Sequence, residues 1–342
     1  MTGAVTPGLV CAHTHLYSTL ARGMPAPPQV ATNFRQILEQ VWWRLDAALD
    51  LEMIRWSAML GALEALESGT TGLVDHHESP NAIEGSLSVI ADACAEVGVR
   101  VLTGYGVTDR NGADGARRGL DENRRYLEAG GPGFVAIHAT FTCTDETLEE
   151  AAALAMELDA GMHIHVCEGP EDIDAPERLA GLTNDRWLLA HCVHLPTDHR
   201  LQGTILHNPR SNLNNSVGYA APARFTNPVA LGTDGIGANV IESFRLAYAM
   251  QRSVDVTASP DDAWTWLGNG WDIIPECRDD RVTWSYDPMD PWHIAFTPGI
   301  RPVEVNVDGE TIFRDGNPTR VDGAEIRAKA AEQAARLHAR LG

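Results

Sequence analysis

Basic residues are scarce in this chain of 342 residues, and lysine occurs only once, at Lys329. Lysine and arginine together number 26 against 47 acidic residues, which gives a formal net charge of −21. Nucleic acids and anionic membranes bind proteins through basic faces, so this balance argues against both as partners. The chain also lacks any apolar run of the roughly 18 residues that a transmembrane helix needs.

The six cysteines are scattered, and none belongs to a C-x-x-C pair. This spacing favours buried thiols in a reduced protein over a disulfide scaffold. The N-terminus has neither the charged region nor the long apolar core of a signal peptide. We therefore expect a cytoplasmic protein with the composition of an ordinary globular chain, 44% hydrophobic and 21% charged.

Short apolar segments alternate with helical patterns along most of the chain. The candidate strands are Leu9–Ala12, Thr71–Asp75, Val99–Gly104, Phe134–His138, Met162–Val166, Trp187–Ala190, Gly203–Leu206 and Val229–Gly232. The candidate helices are Leu51–Glu67, Ile83–Glu96, Thr147–Leu158 and Ile241–Met250. This alternation predicts an α/β fold, a (β/α)8 TIM barrel over residues 7–270. A doubly wound sheet is the alternative, although its glycine-rich phosphate loop would stand where this chain has His-Thr-His.

Two regions depart from the alternation. The long, proline-containing segment from His15 to Asp50 is expected to lie over the barrel mouth as a lid. Residues 271–342 are predicted to form a reduced C-terminal β-sandwich remnant and a C-terminal helix, which packs on the barrel or on a partner subunit. The signals are strand patterns at Thr283–Tyr286 and Val303–Val307, an Asp308-Gly309 hairpin turn before Thr311–Phe313, and a helical stripe over Ala324–Leu341.

Two histidines, His13 and His15, end the first candidate strand with one residue between them. Alternate residues of a strand face the same side, and neutral imidazole is the commonest ligand for transition metals. Further clusters follow later strands: His163-Ile164-His165-Val166-Cys167-Glu168, His191-Cys192-Val193-His194 and Thr233-Asp234-Gly235. Each cluster alone is compatible with buried histidines bonded to backbone or with an aspartate that caps a helix. Together, at strand ends that converge in a barrel, they predict a metal site.

These motifs resemble the amidohydrolase superfamily, in particular its branch of guanine, cytosine and S-adenosylhomocysteine deaminases and triazine hydrolases. Three phrases are similar to the SsnA-type aminohydrolases: residues Pro7–His15, Asp75–Pro80 and His207–Asn212. The resemblance extends from about residue 7 to the C-terminal helix. It is specific for the superfamily and branch, and it is weak for the substrate.

The resemblance implies a set of metal ligands, which are His13, His15, His165 and Asp234. They would hold one divalent metal per subunit, zinc or alternatively Fe2+. A catalytic zinc keeps one position open for water and lowers the pKa of that water to about 7. Since Lys329 lies in the tail helix, no lysine is placed to form a carbamylated bridge between two metals, which favours a mononuclear centre.

The resemblance also implies catalytic roles. Glu168 would act as general acid and base, His191 would hydrogen-bond the hydroxide or the substrate, and Asp234 would take the water proton. Further candidates for substrate contact are His138, Tyr17, Arg22 and Asn208, together with Asn212, Trp42 and Trp43. Each of these also has a structural interpretation. Residues His76, His77 and Glu78 are expected to support the site, and His163 either to support it or to pack in a core layer of the barrel. His194 and His199 are expected to be structural or exposed.

The implied function is hydrolytic deamination of an aminated N-heterocycle (purine, pyrimidine or triazine type) by a metal-bound hydroxide. Two alternatives remain: the same metal site could hydrolyse an amide, peptide or carbon–chlorine bond, or the chain could be a non-catalytic scaffold. Family members usually begin with half of a small β-sandwich, where this chain has only Met1–Thr6. The sandwich is therefore expected to be reduced or completed by a partner. The family also suggests a homodimer or higher homo-oligomer and a small-molecule substrate.

Overall fold

A barrel of parallel strands forms the centre of the computed structural model, which describes residues 3–287 and 289–342. In chain order the strands are β1 (Val5–Thr6), β2 (Leu9–His15), β3 (Thr70–His77), β4 (Arg100–Val107), β5 (Phe134–Ala139), β6 (Gly161–Val166), β7 (Trp187–His191), β8 (Thr204–His207), β9 (Val229–Leu231), β10 (Asp234–Gly235), β11 (Arg281–Trp284), β12 (Pro302–Val307), β13 (Glu310–Arg314) and β14 (Asn317–Pro318). The α-helices are α1 (Phe34–Ile37), α2 (Trp43–Ala48), α3 (Leu51–Glu67), α4 (Ser86–Val97), α5 (Gly112–Glu128), α6 (Asp145–Glu157), α7 (Ala175–Arg178), α8 (Pro209–Asn214), α9 (Val240–Val254), α10 (Pro260–Gly268), α11 (Gly270–Ile273), α12 (Pro291–Phe296) and α13 (Gly323–Leu341).

The last barrel position is filled by two short strands, β9 and β10, which are parts of one interrupted strand. β9 pairs with β8 and β10 pairs with β2, so this strand closes the barrel. Between them, the amide of Thr233 donates to the carbonyl of His13. Gly232 is required here because a Cβ atom would lie 2.7 Å from His13 Cβ. The eight predicted strands thus occupy the eight barrel positions, and the predicted fold class is confirmed.

The first barrel strand contains a β-bulge that decides where its histidines point. Cys11 pairs with Leu73 and Thr14 pairs with Asp75, so β2 has one residue more than β3 in this interval. Ala12 packs in the cluster inside the barrel, whereas Cys11 packs in the cluster between barrel and helices. Because of the extra residue, His13 also points into the barrel mouth instead of alternating outward.

A separate antiparallel sheet has the strand order β1-β11-β12-β13-β14. Its strands β11, β12 and β13 correspond to the three predicted after residue 271. Strand β1 precedes the barrel but joins this sheet, because Val5 pairs with Thr283. The indole of Trp284 is buried and donates to Thr6 Oγ1 over 2.8 Å. The division of the chain at residue 270 stays a prediction.

The tail helix α13 packs on the barrel of its own chain, against α3. Ile326, Ala330 and Leu337 are buried on its inner face. Arg340 pairs with Asp50 Oδ2 at 2.6 Å, just before α3 begins. Of the two predicted positions for this helix, the structure therefore shows the one on the barrel. Among the described residues, we find no helix with the length and apolar character needed to cross a membrane.

The segment between β2 and α3 lies over the barrel mouth, as predicted for a lid. It begins with a 3-10 helix at Leu16–Ala21 and ends with α1, a π-helical turn at Leu38–Trp42, and α2. Leu38, Trp42 and Trp43 line the pocket above the strand ends. π-Helical turns are often found at functional sites, and this one places two tryptophans at the mouth.

Candidate metal centre and active site

Four side chains from β2, β6 and β10 converge at the carboxyl end of the barrel. Asp234 Oδ1 lies 3.2 Å from His13 Nε2 and 2.9 Å from His15 Nε2. His165 Nε2 lies 3.3 Å from His15 Nε2. Ligands bonded at about 2.1 Å in a tetrahedron are separated by about 3.4 Å, so these distances suit zinc. The buried Nε2 atom of His13 has no hydrogen-bond partner, and the donor set fits a divalent metal.

The outer nitrogens of two of these imidazoles are held by hydrogen bonds. His15 Nδ1 donates to the carbonyl of His76 over 2.6 Å, and His13 Nδ1 lies 3.0 Å from His163 Nε2. A proton on Nδ1 leaves the lone pair of Nε2 free to bind a metal. Burial lowers the pKa of His13 to about 4 and the pKa of His165 well below its ordinary value. These two rings are therefore neutral.

His15 differs from the other rings because it is held by Asp234. Burial alone would lower the pKa of His15. The hydrogen bond to Asp234 and the negative charge of Asp234 have the larger combined effect, and they raise the pKa to about 9. The pKa of Asp234 is held well below its ordinary range, since its close contacts with His13 and His15 and the charge of His15 outweigh burial. The centre thus favours a positive charge between these groups, which a cation would supply.

Glu168 and His191 lie beside the metal ligands. His191 Nε2 is 3.5 Å from Glu168 Oε2 and 4.0 Å from Asp234 Oδ2. His191 Nδ1 donates to Asn212 Oδ1 over 2.8 Å, which directs Nε2 toward the two carboxylates. Burial, together with the charge of Asp234, raises the pKa of Glu168 against the opposing effect of His191. A carboxyl group with a raised pKa suits a general acid.

Several of these side chains stand on left-handed backbone at the strand ends. The φ angles are 73° at His191, 59° at Asp234 and 50° at Cys167, which precedes Glu168. Non-glycine residues adopt this conformation at a cost, and such positions cluster at active sites. The backbone therefore turns sharply where His191 and Asp234 enter the pocket and just before Glu168.

The pocket over these groups has an aromatic side and an acidic side. Its lining residues are His15, Tyr17, Leu38, Trp42, Trp43, Asp46, Glu78, His138, His165, Glu168, His191, Asn215, Asp234 and Gly235. The guanidinium of Arg110 lies 4.4 Å from the ring centre of Trp43 on one side, and that of Arg35 lies 4.9 Å from it. The Trp43 ring is thus fixed as a wall of the pocket.

The acidic side is built from Asp46 and Glu78, which share Arg110. Arg110 donates to Glu78 Oε2 and, over 3.2 Å, to Asp46 Oδ2. Burial and the charge of Glu78 raise the pKa of Asp46 well above its ordinary value. Burial also raises the pKa of Glu78, but the positive charges of His138 and Arg110 lower it more. Glu78 is therefore the ionised member of the pair.

The structure brings most of the predicted substrate contacts to the pocket, but not all. Tyr17 and His138 line it. Arg22 instead pairs with Glu64 at 2.5 Å, and it borders a groove outside the barrel. Asn208 is buried below the pocket, where its amide donates to the carbonyl of Leu206 over 3.3 Å. Neither residue reaches the pocket.

The supporting residues have separate positions. His163 is the partner of His13, and the ring of His76 lies 4.5 Å from the ring of His165. His77 Nε2 bonds to Ser79 Oγ at 2.8 Å, outside the ligand cluster. His194 is exposed and His199 is half-buried.

Sequence reasoning missed Asp46, Arg110, Ser211 and Asn215. Ser211 lies within the motif at His207–Asn212, so that motif is a signal that could have found it. Asp46 and Arg110 follow no recognisable pattern, since Asp46 comes from the lid and Arg110 from the short 3-10 turn Asp109–Asn111 after β4.

A parallel barrel with three histidines and one aspartate at its mouth is an architecture of metal-dependent hydrolases. The chain belongs to the amidohydrolase family, whose sequence model matches residues 4–267. The predicted superfamily is thereby confirmed.

Individual relatives are adenosine-type deaminases by name. The 5'-deoxyadenosine deaminase of Methanopyrus kandleri is 31% identical over 278 residues, which cover 72% of this chain and 62% of that protein. The 5'-deoxyadenosine deaminase of Methanocaldococcus jannaschii is 27% identical, over 95% of this chain and 87% of that protein. The chain thus spans less than two thirds of the length of the first relative in this alignment.

The fold is shared with solved structures at low identity. A zinc-bound adenosine deaminase from Xanthomonas campestris superimposes with a TM-score of 0.80 at 23% identity, over 99% of this chain and 87% of that chain. An atrazine chlorohydrolase from Arthrobacter aurescens, complexed with zinc, gives a TM-score of 0.75 at 21% identity, over 96% and 88% of the two chains.

Proposed function

We propose that this protein is a metal-dependent deaminase that replaces the amino group of an N-heterocycle with oxygen. The observation that carries the proposal is the position of Glu168, whose carboxyl lies 3.5 Å from His191 and next to the converging metal ligands. Proton donor, proton acceptor and metal ligands thus share one pocket. The names of the relatives make adenosine-type nucleosides the first substrates to test.

The metal in this proposal is one zinc ion per subunit, held by His13, His15, His165 and Asp234. Bound zinc acts as a Lewis acid that lowers the pKa of water toward neutrality. The protein contributes the geometry, because the bulge in β2 directs His13 and His15 inward and the left-handed backbone does so for Asp234.

The side chains of this pocket account for the proton transfers. Glu168 donates its proton to the ring nitrogen beside the carbon that is attacked, which makes that carbon more electrophilic. Asp234, assisted by His191, accepts the first proton of the attacking water and passes it to the amino group, which leaves as ammonia. The remaining hydroxyl proton returns to Glu168, so the product carries a carbonyl oxygen and the enzyme is regenerated.

The walls of the pocket account for substrate binding in the same proposal. Tyr17, Trp42 and Trp43 offer aromatic surface to a flat ring. Asp46 and Glu78 line the same pocket, and their carboxyl oxygens accept hydrogen bonds, which suits a substituent rich in donors such as a sugar with hydroxyl groups. His138 Nε2 lies 3.7 Å from Glu78 Oε1. It therefore lies between the carboxyl groups and the part of the pocket that would hold the flat ring.

The variant Glu168→Gln tests the proposal. It keeps the size of the side chain but removes the exchangeable proton, so zinc content should stay unchanged while turnover falls by about 10²- to 10⁴-fold. Ammonia release would be measured on adenosine, 5'-deoxyadenosine, S-adenosylhomocysteine, guanine, cytosine and an aminated triazine. The exposed Glu177 supplies the matched control, since Glu177→Gln should leave turnover unchanged.

Two outcomes would contradict the proposal. If Glu168→Gln retains the wild-type rate, Glu168 does not transfer the proton. If the zinc-loaded wild type releases no ammonia from any of these compounds but releases chloride from a chlorotriazine, the site cleaves another bond. Assembly into a homo-oligomer remains a prediction, and light scattering of the purified protein tests it.

A further inference from the structure

The short helix α8 contacts each of the three proton-handling groups of the pocket. It follows β8, and its side chains reach back over the strand ends. Asn212 accepts the hydrogen bond from His191 Nδ1 at 2.8 Å. Ser211 bonds to Asp234 Oδ2, and Asn215, directly after the helix, bonds to Glu168 Oε1 at 3.2 Å.

Ser211 and Asn215 are also bonded to each other, which joins the two carboxylates. They are one helical turn apart, and Asn215 Nδ2 lies 3.3 Å from Ser211 Oγ. The result is an unbroken path from Glu168 through Asn215 and Ser211 to Asp234. We name this path the α8 bridge.

The hydrogens of the α8 bridge can be placed without conflict. The amide nitrogen of Asn215 has two hydrogens, one for Glu168 and one for Ser211. The hydroxyl of Ser211 then accepts from Asn215 and donates its single hydrogen to Asp234, whose ionised carboxylate only accepts. With the carboxyl proton of Glu168 on Oε2, toward the substrate, Oε1 only accepts, and a reversed amide would place its oxygen against this acceptor. The bridge therefore has one direction, from Asn215 outward to both carboxylates.

The α8 bridge determines which oxygen of each carboxylate faces the site. Because Asp234 Oδ2 is bonded to Ser211, Oδ1 remains for His13 and His15, at 3.2 and 2.9 Å. Because Glu168 Oε1 is bonded to Asn215, Oε2 remains for His191, at 3.5 Å. Without these two bonds, both carboxyl groups could rotate away from the positions that the chemistry requires.

We propose that Ser211 and Asn215 are positioning residues that hold Asp234 toward the metal ligands and Glu168 toward the substrate. The inference rests on the proposed deaminase function and deepens it. Ser211 orients Asp234 for metal binding, and Asn215 orients Glu168 for proton donation. Loss of Ser211 should therefore change zinc affinity, and loss of Asn215 should change kcat.

The variant Asn215→Asp isolates the second role. It keeps the oxygen Oδ1, which is buried without a partner at the pocket, but it exchanges the donor for an acceptor beside Glu168. Glu168 becomes a carboxylate as it gives up its proton, and loss of a hydrogen bond to that charge should lower kcat about tenfold to a hundredfold, while KM and zinc content stay unchanged. The exposed neighbour Asn214 gives the control Asn214→Asp, which adds the same charge one residue away and should leave kcat unchanged.

The variant Ser211→Ala isolates the first role without an activity assay. Loss of a group that orients a metal ligand weakens zinc binding about tenfold to a hundredfold, measured by competition with a chromogenic chelator. Ser211→Thr keeps the hydroxyl and should bind zinc like the wild type. Thermal unfolding of every variant shows which of them fold.

Each outcome decides the inference. Wild-type kcat in Asn215→Asp, or a raised KM with unchanged kcat, would overturn the role of Asn215. Equal zinc affinity in Ser211→Ala and Ser211→Thr would overturn the role of Ser211. If the wild type deaminates none of the compounds tested, the proposed function fails, and the zinc competition still decides whether Ser211 orients Asp234. Should Asn215→Asp not fold, the Ser211 pair carries the test.

Discussion

Replacing Arg110 by methionine tests how the acidic side of the pocket is held. The guanidinium bonds to Asp46 and Glu78, and the three side chains are 13%, 2% and 5% exposed. Methionine keeps the apolar stem of the side chain but removes its charge. Removing one partner of a buried ion pair costs about 3 to 5 kcal/mol, because the other charge stays buried without compensation.

The loss should depend on pH in a defined direction. In the wild type, the pKa of Glu78 is held below its ordinary value of 4.5. Its charge therefore contributes stability above that pH, and this contribution is lost as the pH falls through the lowered folded pKa. In Arg110→Met, the positive charge that opposes burial is removed, so burial raises the pKa of Glu78 relative to the wild type. The variant is then least penalised in acid and most penalised at high pH.

Urea unfolding at pH 5 and pH 8 on metal-free protein measures this effect. The control is Arg118→Met, since Arg118 pairs with Glu84 on the surface, and exposed pairs contribute about 0 to 1 kcal/mol. The double variant Arg110→Met with Glu78→Gln should recover part of the lost stability at pH 8. A destabilisation at pH 8 no larger than that of the control, or one equal at both pH values, would refute this account.

Two further predictions concern buried charge and the metal. Burial raises the pKa of Asp75 to about 6 from its ordinary value of 3.8, so Asp75 alone should lower wild-type stability by about 3 kcal/mol as the pH rises from 4 to 6. Asp75→Asn should lack this fall in urea unfolding of metal-free protein, and an identical pH profile would contradict the raised pKa. Zinc at about a hundred times its Kd should stabilise the folded protein by about 2.7 kcal/mol. Thermal unfolding should show this gain in the wild type but not in Asp234→Asn, and an equal gain in both would exclude Asp234 as a ligand.

The barrel could be predicted because its signal is local and repeated. Each strand is a short apolar segment, and each helix between strands has its own periodicity. The convergence of His13, His165 and Asp234 then follows from topology, since parallel strands end at the same mouth. No distance between residues so far apart in sequence had to be guessed.

The acidic side of the pocket could not be predicted in this way. Arg110 is 64 residues from Asp46 and 32 from Glu78, and these contacts follow from how the lid packs on two strand ends. Such pairs leave no period in the sequence. The same limitation explains Arg22, whose position after the first strand predicted a substrate contact although its side chain turns outward to Glu64.

The bulge in β2 shows that strand alternation explains only part of why His13 and His15 face the site. Alternation predicts that His13 and His15 share a face, and they do, but regular alternation from Cys11 would turn both toward the helices. The extra residue between Cys11 and Thr14 moves them into the mouth. A bulge disrupts local pairing, and left-handed residues such as His191 and Asp234 each cost on the order of 1–3 kcal/mol. These irregularities lie where side chains of the site must face inward. They lower the stability of the metal-free protein, and binding of a cation would offset that loss.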